Sequence, residues 1–195
     1  LVKEILNIPP LGVVGYHPAK LPYNRGRHPL IWALVLGLEE TGSTFFFMDE
    51  GADSGDILSQ RQIEILDTDN ASTLYQRVIE TAIEQIDLFV PALVSGKYER
   101  ISQDDSKANY WRKRRQIDGK IDWRMSAQAI HNLVRGLTSP YVGAHFEFNG
   151  KYIKVWSTEI IENSSKNIEP GKVLSLDKSG IIVKAGENSI RLIQI

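Results

Sequence analysis

Two stretches set the fold of this chain: residues 11–34, LGVVGYHPAKLPYNRGRHPLIWAL, and residues 41–58, TGSTFFFMDEGADSGDIL. The apolar run at 11–16 predicts a buried strand, and the proline- and glycine-containing segment 17–28 predicts a loop. Residues 29–38 predict a short buried helix, with Pro29 in its first turn. A β-rich run at 44–48, an acidic loop at 49–56 and an alternating strand at 57–66 follow. This order predicts an α/β sheet with functional loops at strand ends.

Beyond these stretches the chain continues with one long helix and then a β-rich end. The helix has apolar residues at helical spacing and a plausible stop at Gly96; these residues are Leu74, Val78, Ala82, Ile86, Phe89 and Leu93. A second helix is predicted after an N-cap at Ser126. Short strands follow in AHFEF, KYIKVW, KVLSL, IIVKA and SIRLIQI. The Asn149-Gly150 pair predicts a hairpin, and the closely spaced strands predict a small barrel or sandwich.

The bulk composition is that of a globular protein: of 195 residues, 42% are hydrophobic and 24% charged. Such a chain can bury a core. A net charge of −1 gives no global attraction to nucleic acid or membrane. The absence of cysteine excludes disulfides and thiolate chemistry and fits the cytoplasm, which we expect as its location. No membrane span and no signal peptide are predicted. The opening LVKEIL resembles the end of a helix, so we expect further sequence before it.

Two residues stand out as candidates for acid–base chemistry. His17 follows a predicted strand, and an imidazole titrates near neutrality, which suits proton transfer. Asp53 lies in the acidic loop EGADSGD, and a carboxylate beside a histidine orients the ring and stabilises its charged form. The alternatives are a loop histidine that only hydrogen-bonds the backbone and an acidic loop that is merely solvated. No metal site is predicted, because the spacing of metal ligands is missing.

Positive charge is concentrated in two segments. Arg25 and Arg27 lie in a glycine-containing loop, where arginines can grip a carboxylate or phosphate, or can simply be solvated. Residues 107–124 contain seven basic residues, two acidic residues and three aromatic rings. This segment predicts either a phosphate-binding surface or a linker whose aromatic side chains dock on a neighbouring domain. A G-x-S-x-G elbow, a P-loop and a dinucleotide fingerprint are all missing from the sequence.

Taken together and in order, these segments resemble the 10-formyltetrahydrofolate-dependent formyltransferases. The matching text is GYHPAKLPYNRGRHPLIWAL, TGSTFFFMDEGADSGDIL, SKANYWRKRRQIDGKIDW and LVRGLTSPYVGAHFEFNGKYIKVW. Within that family the sequence is most similar to enzymes that formylate methionyl-tRNA or nucleotide-linked amino sugars. The resemblance implies the C-terminal part of a Rossmann-like formyl-transfer domain at 1–106, a basic linker at 107–124, and a helix with a small open, OB-like barrel at 125–195.

The resemblance also assigns roles by position. It implies His17 and Asp53 as the catalytic pair, with no metal and with 10-formyltetrahydrofolate as co-substrate. Contact with the folate falls on a short loop, and contact with the acceptor amine on an Arg-Gly pair. The folate loop is Ala19, Lys20, Leu21 and Pro22, and the pair is Arg25 and Gly26.

One position departs from the family pattern. The family has Asn-x-His at the strand end, whereas this chain has Gly15-Tyr16-His17. The resemblance implies that the asparagine stabilises the oxyanion of the intermediate, and losing such a donor typically costs about 10²–10³ in rate. A backbone N–H, Asn24 or a substrate group are the candidates to replace it. The alternative function is therefore a relative that binds folate or a nucleotide without catalysis.

Overall fold

The computed structural model of the chain describes residues 2–195, which form four α-helices and eleven strands. The helices are α1 (Lys3–Leu6), α2 (Pro29–Val35), α3 (Ala71–Val94) and α4 (Ala127–Leu137). The strands are β1 (Val14–His17), β2 (Arg25–Gly26), β3 (Glu40–Phe47), β4 (Ile57–Glu64), β5 (Tyr110–Trp111), β6 (Ala144–Phe148), β7 (Lys151–Val155), β8 (Ser157–Ile161), β9 (Val173–Asp177), β10 (Gly180–Lys184) and β11 (Ser189–Gln194). None of the helices within residues 2–195 combines the length and the hydropathy needed to cross a bilayer.

The described chain divides into two compact units. The first contains residues up to Leu30, Glu39–Leu66 and Thr73–Arg114. The second contains Ile31–Leu38, Asp67–Ser72 and Arg115–Ile195. The break between Arg114 and Arg115 falls inside the predicted linker 107–124, and the predicted domain limits at 106 and 125 stay a prediction.

The first unit is built on a three-stranded sheet in the order β1-β3-β4. The central strand β3 is buried along seven of its eight residues, because its run of phenylalanines packs inside the unit. Gln85 of α3 is fully buried and donates to the Ser43 carbonyl and the Ser59 hydroxyl, at 3.3 and 2.8 Å, which ties the helix to the sheet.

The pairing in this sheet is antiparallel throughout, with His17 opposite Thr44 and Glu40 opposite Glu64. The strand predicted as buried at 11–16 corresponds to β1, in which the residues Val14 and Tyr16 are 37% and 39% exposed. Among the described strands, β1 is an edge strand that pairs with β3 on one side. Its other side has no neighbouring strand within the described part of this sheet, and this accounts for the exposure.

The second unit surrounds α4 with two antiparallel sheets. One has four strands in the order β8-β11-β10-β9, and the other is the β6-β7 hairpin. The predicted N-cap is confirmed, since Ser126 Oγ accepts from the Ala129 N–H at 3.1 Å. The predicted hairpin is also confirmed, with Asn149 and Gly150 at φ 49° and 73°, the left-handed region that a type I′ turn requires. Strand β8 was not predicted.

The stretch 97–124, which contains the predicted linker 107–124, has regular structure of its own. Strand β5 pairs in parallel with β2, so that Arg25 lies opposite Tyr110 and Gly26 opposite Trp111. Ile101 exchanges backbone hydrogen bonds with Ile57 at the start of β4. Short 3-10 turns lie at Asp105–Lys107 and Gln116–Gly119.

Candidate active site

His17 and Asp53 come together in the first unit. His17 ends β1 and is 4% exposed. Its Nε2 lies 2.8 Å from the carbonyl oxygen of Asn24, and its Nδ1 lies 3.6 Å from Asp53 Oδ2. A carbonyl oxygen only accepts, so Nε2 carries a proton and donates it to Asn24. In the neutral ring, Nδ1 then has no proton, and its lone pair points toward the Asp53 carboxylate. A proton delivered between Nδ1 and Oδ2 is therefore attracted by both atoms.

The Asp53 carboxylate is held by the backbone of the neighbouring loop. Its Oδ2 accepts the Gly26 N–H at 2.8 Å. Asp53 has φ 58°, a left-handed conformation that side chains rarely adopt and that is found where surrounding contacts enforce it. At Gly26, with φ 104°, a Cβ would lie 2.4 Å from the Trp111 carbonyl oxygen, so that only glycine fits there.

The other acidic residues of the 49–56 loop have different contacts. Asp49 Oδ1 accepts from the Gly51 N–H and from Ser54 Oγ, at 2.9 and 2.8 Å. Asp56 Oδ1 accepts from Ser102 Oγ at 3.0 Å. These carboxylates stabilise the loop itself, which leaves Asp53 as the one among these three that faces His17.

The predicted folate loop lies beside His17 and is fixed to the sheet. Ala19 and Leu21 are 0% and 2% exposed, and their carbonyl oxygens accept from Thr44 Oγ1 at 2.6 Å and Gln60 Nε2 at 2.8 Å. The Lys20 ammonium donates to Glu40 and Gln62 at 2.8 Å each, so its charge is already paired. Pro22 is half-buried. A folate contact by this loop stays a prediction.

Arg25 has a different environment from the one its sequence context indicated. It is 1% exposed, and each of its guanidinium nitrogens donates to a protein acceptor. Nε and Nη2 reach Gln103 Oε1 at 3.2 and 2.7 Å, Nη1 reaches the Tyr110 hydroxyl at 2.9 Å, and Nη2 also pairs with Asp105 at 2.8 Å. Burial acts to lower the pKa of Arg25, but Tyr110 and Asp105 outweigh it and raise that pKa. The guanidinium therefore holds two loops together, and acceptor binding by it stays a prediction.

The Gly15 position contains no oxyanion donor, and its side-chain space is filled. Gly15 and His17 point to the same face of β1, as residues two apart in a strand do. A Cβ on Gly15 would lie 2.8 Å from Met48 Cγ and 3.0 Å from Phe46 Cζ. The volume that an asparagine would use is thus taken by the flexible thioether of Met48.

His28, two residues after Gly26, lies near three positively charged side chains, Arg27, Lys113 and Arg114. His28 has φ 57°, and its Nδ1 is buried without a hydrogen-bond partner. Burial lowers the pKa of His28, and the charges of Lys113, Arg114 and Arg27 lower it further. The ring is therefore neutral near pH 7, while the three neighbouring side chains supply the positive charge. Part of the basic segment thus lies close to the site in this unit.

The remaining histidines lie in the second unit. His131 Nδ1 contacts Thr158 Oγ1 at 3.0 Å, and His145 is 3% exposed with its ring against Tyr152. Burial is the main cause that lowers the pKa of each. Across residues 2–195 no group of three or more His, Asp or Glu side chains is arranged to hold a metal ion.

Two polar residues that the sequence analysis did not assign complete the site: Gln103 donates to the carbonyl oxygens of Asp53 and Gly55, and Asn109 binds Asn24. Asn24, named from the sequence only as a candidate oxyanion donor, accepts from His17 through its backbone carbonyl. The contacts of Gln103 and Asn109 join positions 48 to 85 residues apart. No local pattern in the sequence signals such contacts.

Comparison with known families gives two matches that together span most of the chain. The family described as "Formyl transferase" matches residues 1–88, and the family described as "Formyl transferase, C-terminal domain" matches residues 113–195. The first match contains His17 and Asp53, and the second contains α4 and the strands β6 to β11.

Curated relatives and solved structures agree with these matches. The chain is 38% identical over 195 residues to the methionyl-tRNA formyltransferase of Caldanaerobacter subterraneus subsp. tengcongensis, covering 100% of this chain and 62% of that protein. Among solved structures, an N-formyltransferase from Helicobacter canadensis with folinic acid and dTDP-3-aminofucose superposes with a TM-score of 0.75, at 18% identity, covering 94% of this chain and 66% of that one. HypX from Aquifex aeolicus with tetrahydrofolic acid superposes with a TM-score of 0.73, at 20% identity, covering 92% and 31%.

Proposed function

The chain belongs to the formyl transferase family, and from this premise we propose that it transfers a formyl group from 10-formyltetrahydrofolate to a primary amine. The observation that carries the proposal is the 3.6 Å approach of His17 Nδ1 to Asp53 Oδ2, within the segment that matches the family. Because the chain spans 62% of the length of the curated relative, the activity is proposed and not taken over from it.

The proposed reaction is an acyl transfer in two steps. The acceptor amine attacks the formyl carbon, which forms a C–N bond and places a negative charge on the formyl oxygen. The amine must lose one proton, and the His17–Asp53 pair accepts it between Nδ1 and Oδ2. The bond from carbon to N10 of the folate then breaks, the carbonyl reforms, and the same proton returns to N10. The products are a formamide and tetrahydrofolate, and no net proton is taken up.

Two observations support 10-formyltetrahydrofolate as the co-substrate: the folates bound in two similar solved structures, and the position of the loop after His17. The Helicobacter structure is a complex with folinic acid, and the Aquifex structure is a complex with tetrahydrofolic acid. In this chain Ala19, Lys20, Leu21 and Pro22 connect His17 to the Asn24 turn, so a folate held along this loop lies next to the reacting pair. No metal takes part in the proposed mechanism.

Two acceptors fit the chain, and each has an observation in its favour. Methionyl-tRNA is supported by the curated relative and by the basic segment 107–124, which can contact phosphates. A nucleotide-linked amino sugar is supported by the Helicobacter neighbour, and the cluster of Arg27, Lys113 and Arg114 suffices for one diphosphate. We propose methionyl-tRNA first, because the curated relative is the more similar in sequence.

Formylation assays with both acceptors at low and high salt test the choice. Transfer to methionyl-tRNA that falls steeply with salt is expected, because a polyanion releases counterions along its whole contact. Transfer to the amino sugar with weak salt dependence would replace the first acceptor with the second. Measurable folate binding without transfer to either amine would refute the enzyme proposal and support the non-catalytic alternative that Gly15 raises.

The finer fold assignment is part of the same proposal. We propose that the first unit is the C-terminal part of a Rossmann-like domain and that the helix and strands at 125–195 form a small open, OB-like barrel. The family matches support this division, since one ends at residue 88 and the other starts at residue 113. The proposed setting is the cytoplasm, which a cysteine-free sequence fits.

A further inference from the structure

The segment from Gln103 to Trp111, called here the 103–111 strap, contacts the loops of both His17 and Asp53. Asn109 binds the turn at Asn24 with three hydrogen bonds. The Asn24 N–H donates to Asn109 Oδ1 at 2.9 Å, Asn109 Nδ2 donates to Asn24 Oδ1 at 3.2 Å, and the Arg25 N–H donates to the Asn109 carbonyl at 3.0 Å. Asn24 has φ 63°, so these bonds hold a backbone conformation that is otherwise costly.

The turn at Asn24 determines which nitrogen of His17 carries a proton. Its carbonyl oxygen accepts from His17 Nε2 at 2.8 Å, and this contact fixes both the ring orientation and the tautomer. The other nitrogen, Nδ1, is then the one directed at Asp53. If the turn relaxes, the carbonyl leaves Nε2, and the ring is free to move its proton to Nδ1, where Asp53 is the acceptor.

Gln103 binds the other half of the pair. Its Nε2 donates to the carbonyl oxygens of Asp53 and Gly55 at 2.9 and 2.7 Å. Its Oε1 accepts from Arg25 Nε and Nη2. Both hydrogens and both acceptor positions of the amide are therefore used, and they hold Asp53 at its left-handed φ of 58°.

We propose that Gln103 and Asn109 are positioning residues for the reacting pair: Asn109 sets the His17 tautomer through Asn24, and Gln103 sets the Asp53 backbone. Neither touches the reacting atoms. The proposal rests on the proposed formyl transfer and deepens it, because it makes the 103–111 strap part of the catalytic machinery and not only a connection to the second unit.

The test combines ring ¹⁵N NMR of His17 with steady-state kinetics on the whole chain. In the wild type we expect the Nε2–H pattern for His17, assigned by its loss in His17→Ala. Asn109→Ala is expected to shift this pattern toward Nδ1–H or a mixture and to lower kcat about 10- to 100-fold, the cost of a small misplacement of a reacting group. Asn109→Asp keeps the acceptor for the Asn24 N–H. This variant is therefore expected to recover part of the Nε2–H pattern and part of the wild-type kcat.

Gln103 is tested by replacing it with glutamate, a side chain of the same size. Gln103→Glu removes the two donors to Asp53 and Gly55 but keeps an acceptor for Arg25, so the fold is expected to persist while kcat falls. KM is expected to change by less than about twofold in both strap variants, since ground-state binding is not their role. The matched controls are Asn167→Ala and Gln128→Glu, two exposed positions outside the strap and the basic segment 107–124, and both are expected to behave as the wild type.

The outcomes separate this proposal from the proposed function. An unchanged His17 pattern in folded Asn109→Ala, or an unchanged kcat in folded Gln103→Glu, overturns the positioning role. If the His17 pattern shifts as expected while the wild type transfers no formyl group to any amine, formyl transfer fails and the tautomer control stands. If Asn109→Ala does not fold, Asn109→Ser gives the same readout with a smaller loss of polarity.

Discussion

Replacement of Arg25 by methionine distinguishes a structural arginine from one that binds substrate. Arg25→Met keeps an unbranched apolar side chain and removes the charge and the donors. In the wild type the guanidinium is 1% exposed and bonds Gln103, Tyr110 and Asp105. The arginine also lies over the Tyr110 ring, with Cζ 5.6 Å from the ring centroid. The substitution therefore breaks the side-chain contacts between Arg25 and the 103–111 strap.

The loss of unfolding free energy depends on which former partners of Arg25 water can reach in the Arg25→Met variant. The Asp105 side chain is 79% exposed and the Tyr110 residue 58% exposed, so both are rehydrated, and an exposed ion pair contributes only about 0–1 kcal/mol. Gln103 Oε1 is half-buried and loses both donors, which costs about 1–3 kcal/mol. Removing one partner of a fully buried ion pair would cost about 3–5 kcal/mol, but here no charge is left buried. We expect Arg25→Met to lose about 1–4 kcal/mol of unfolding free energy.

Urea denaturation of four proteins measures this: the wild type, Arg25→Met, Asp105→Ala and the double variant. Asp105→Ala is expected to cost less than about 1 kcal/mol, and the double variant is expected to lie close to Arg25→Met alone. If Arg25→Met has wild-type stability but a raised KM for the acceptor, the arginine binds substrate and the structural account of it is refuted.

Three further predictions concern single positions. Gly55→Ala is expected to distort the Asp53 loop and abolish activity, because its Cβ would lie 1.7 Å from the Phe47 carbonyl oxygen; an active, folded variant speaks against this loop geometry. The folded state lowers the pKa of His145 from 6.5, mainly through burial, so its contribution to stability is complete above pH 6.5 and is lost as the pH falls through the lowered value. Thermal melts from pH 7 to 5 should therefore show a smaller decline in His145→Gln than in the wild type, and equal declines would contradict it. Gly15→Asn is expected to raise kcat if Met48 can turn away, and to do so more in combination with Met48→Ala; no gain in either folded variant means that oxyanion stabilisation comes from elsewhere.

The sequence predicted elements whose signals are local. The long helix α3, the Ser126 cap and the Asn149-Gly150 turn each depend on residues within a few positions of one another, and all three are present. Strand β8 escaped prediction because a single residue, Trp156, separates it from β7, and no turn signal marks the change of sheet.

His17 and Asp53 were singled out because each follows a predicted strand, and strand order alone does not bring them together. β1 and β3 are antiparallel, so their carboxyl ends point in opposite directions. Asp53 reaches His17 because the loop 48–56 folds back, with Gly55 against the Phe47 carbonyl. The burial of Arg25 and the roles of the 103–111 strap depend on contacts 48 to 85 residues apart, which periodicity and composition do not contain.

Formyl transfer from 10-formyltetrahydrofolate by the wild type, His17→Ala and Asp53→Asn tests the central claim most directly. The matched controls are His131→Ala, in α4, and Asp87→Asn, at an exposed position of α3. Each site variant is expected to keep its fold and to lose at least about 10²-fold in kcat, the contribution typical of general acid–base catalysis. The controls are expected to stay near the wild-type rate. A folded His17→Ala or Asp53→Asn that transfers formyl at the wild-type rate would contradict the assignment of this pair.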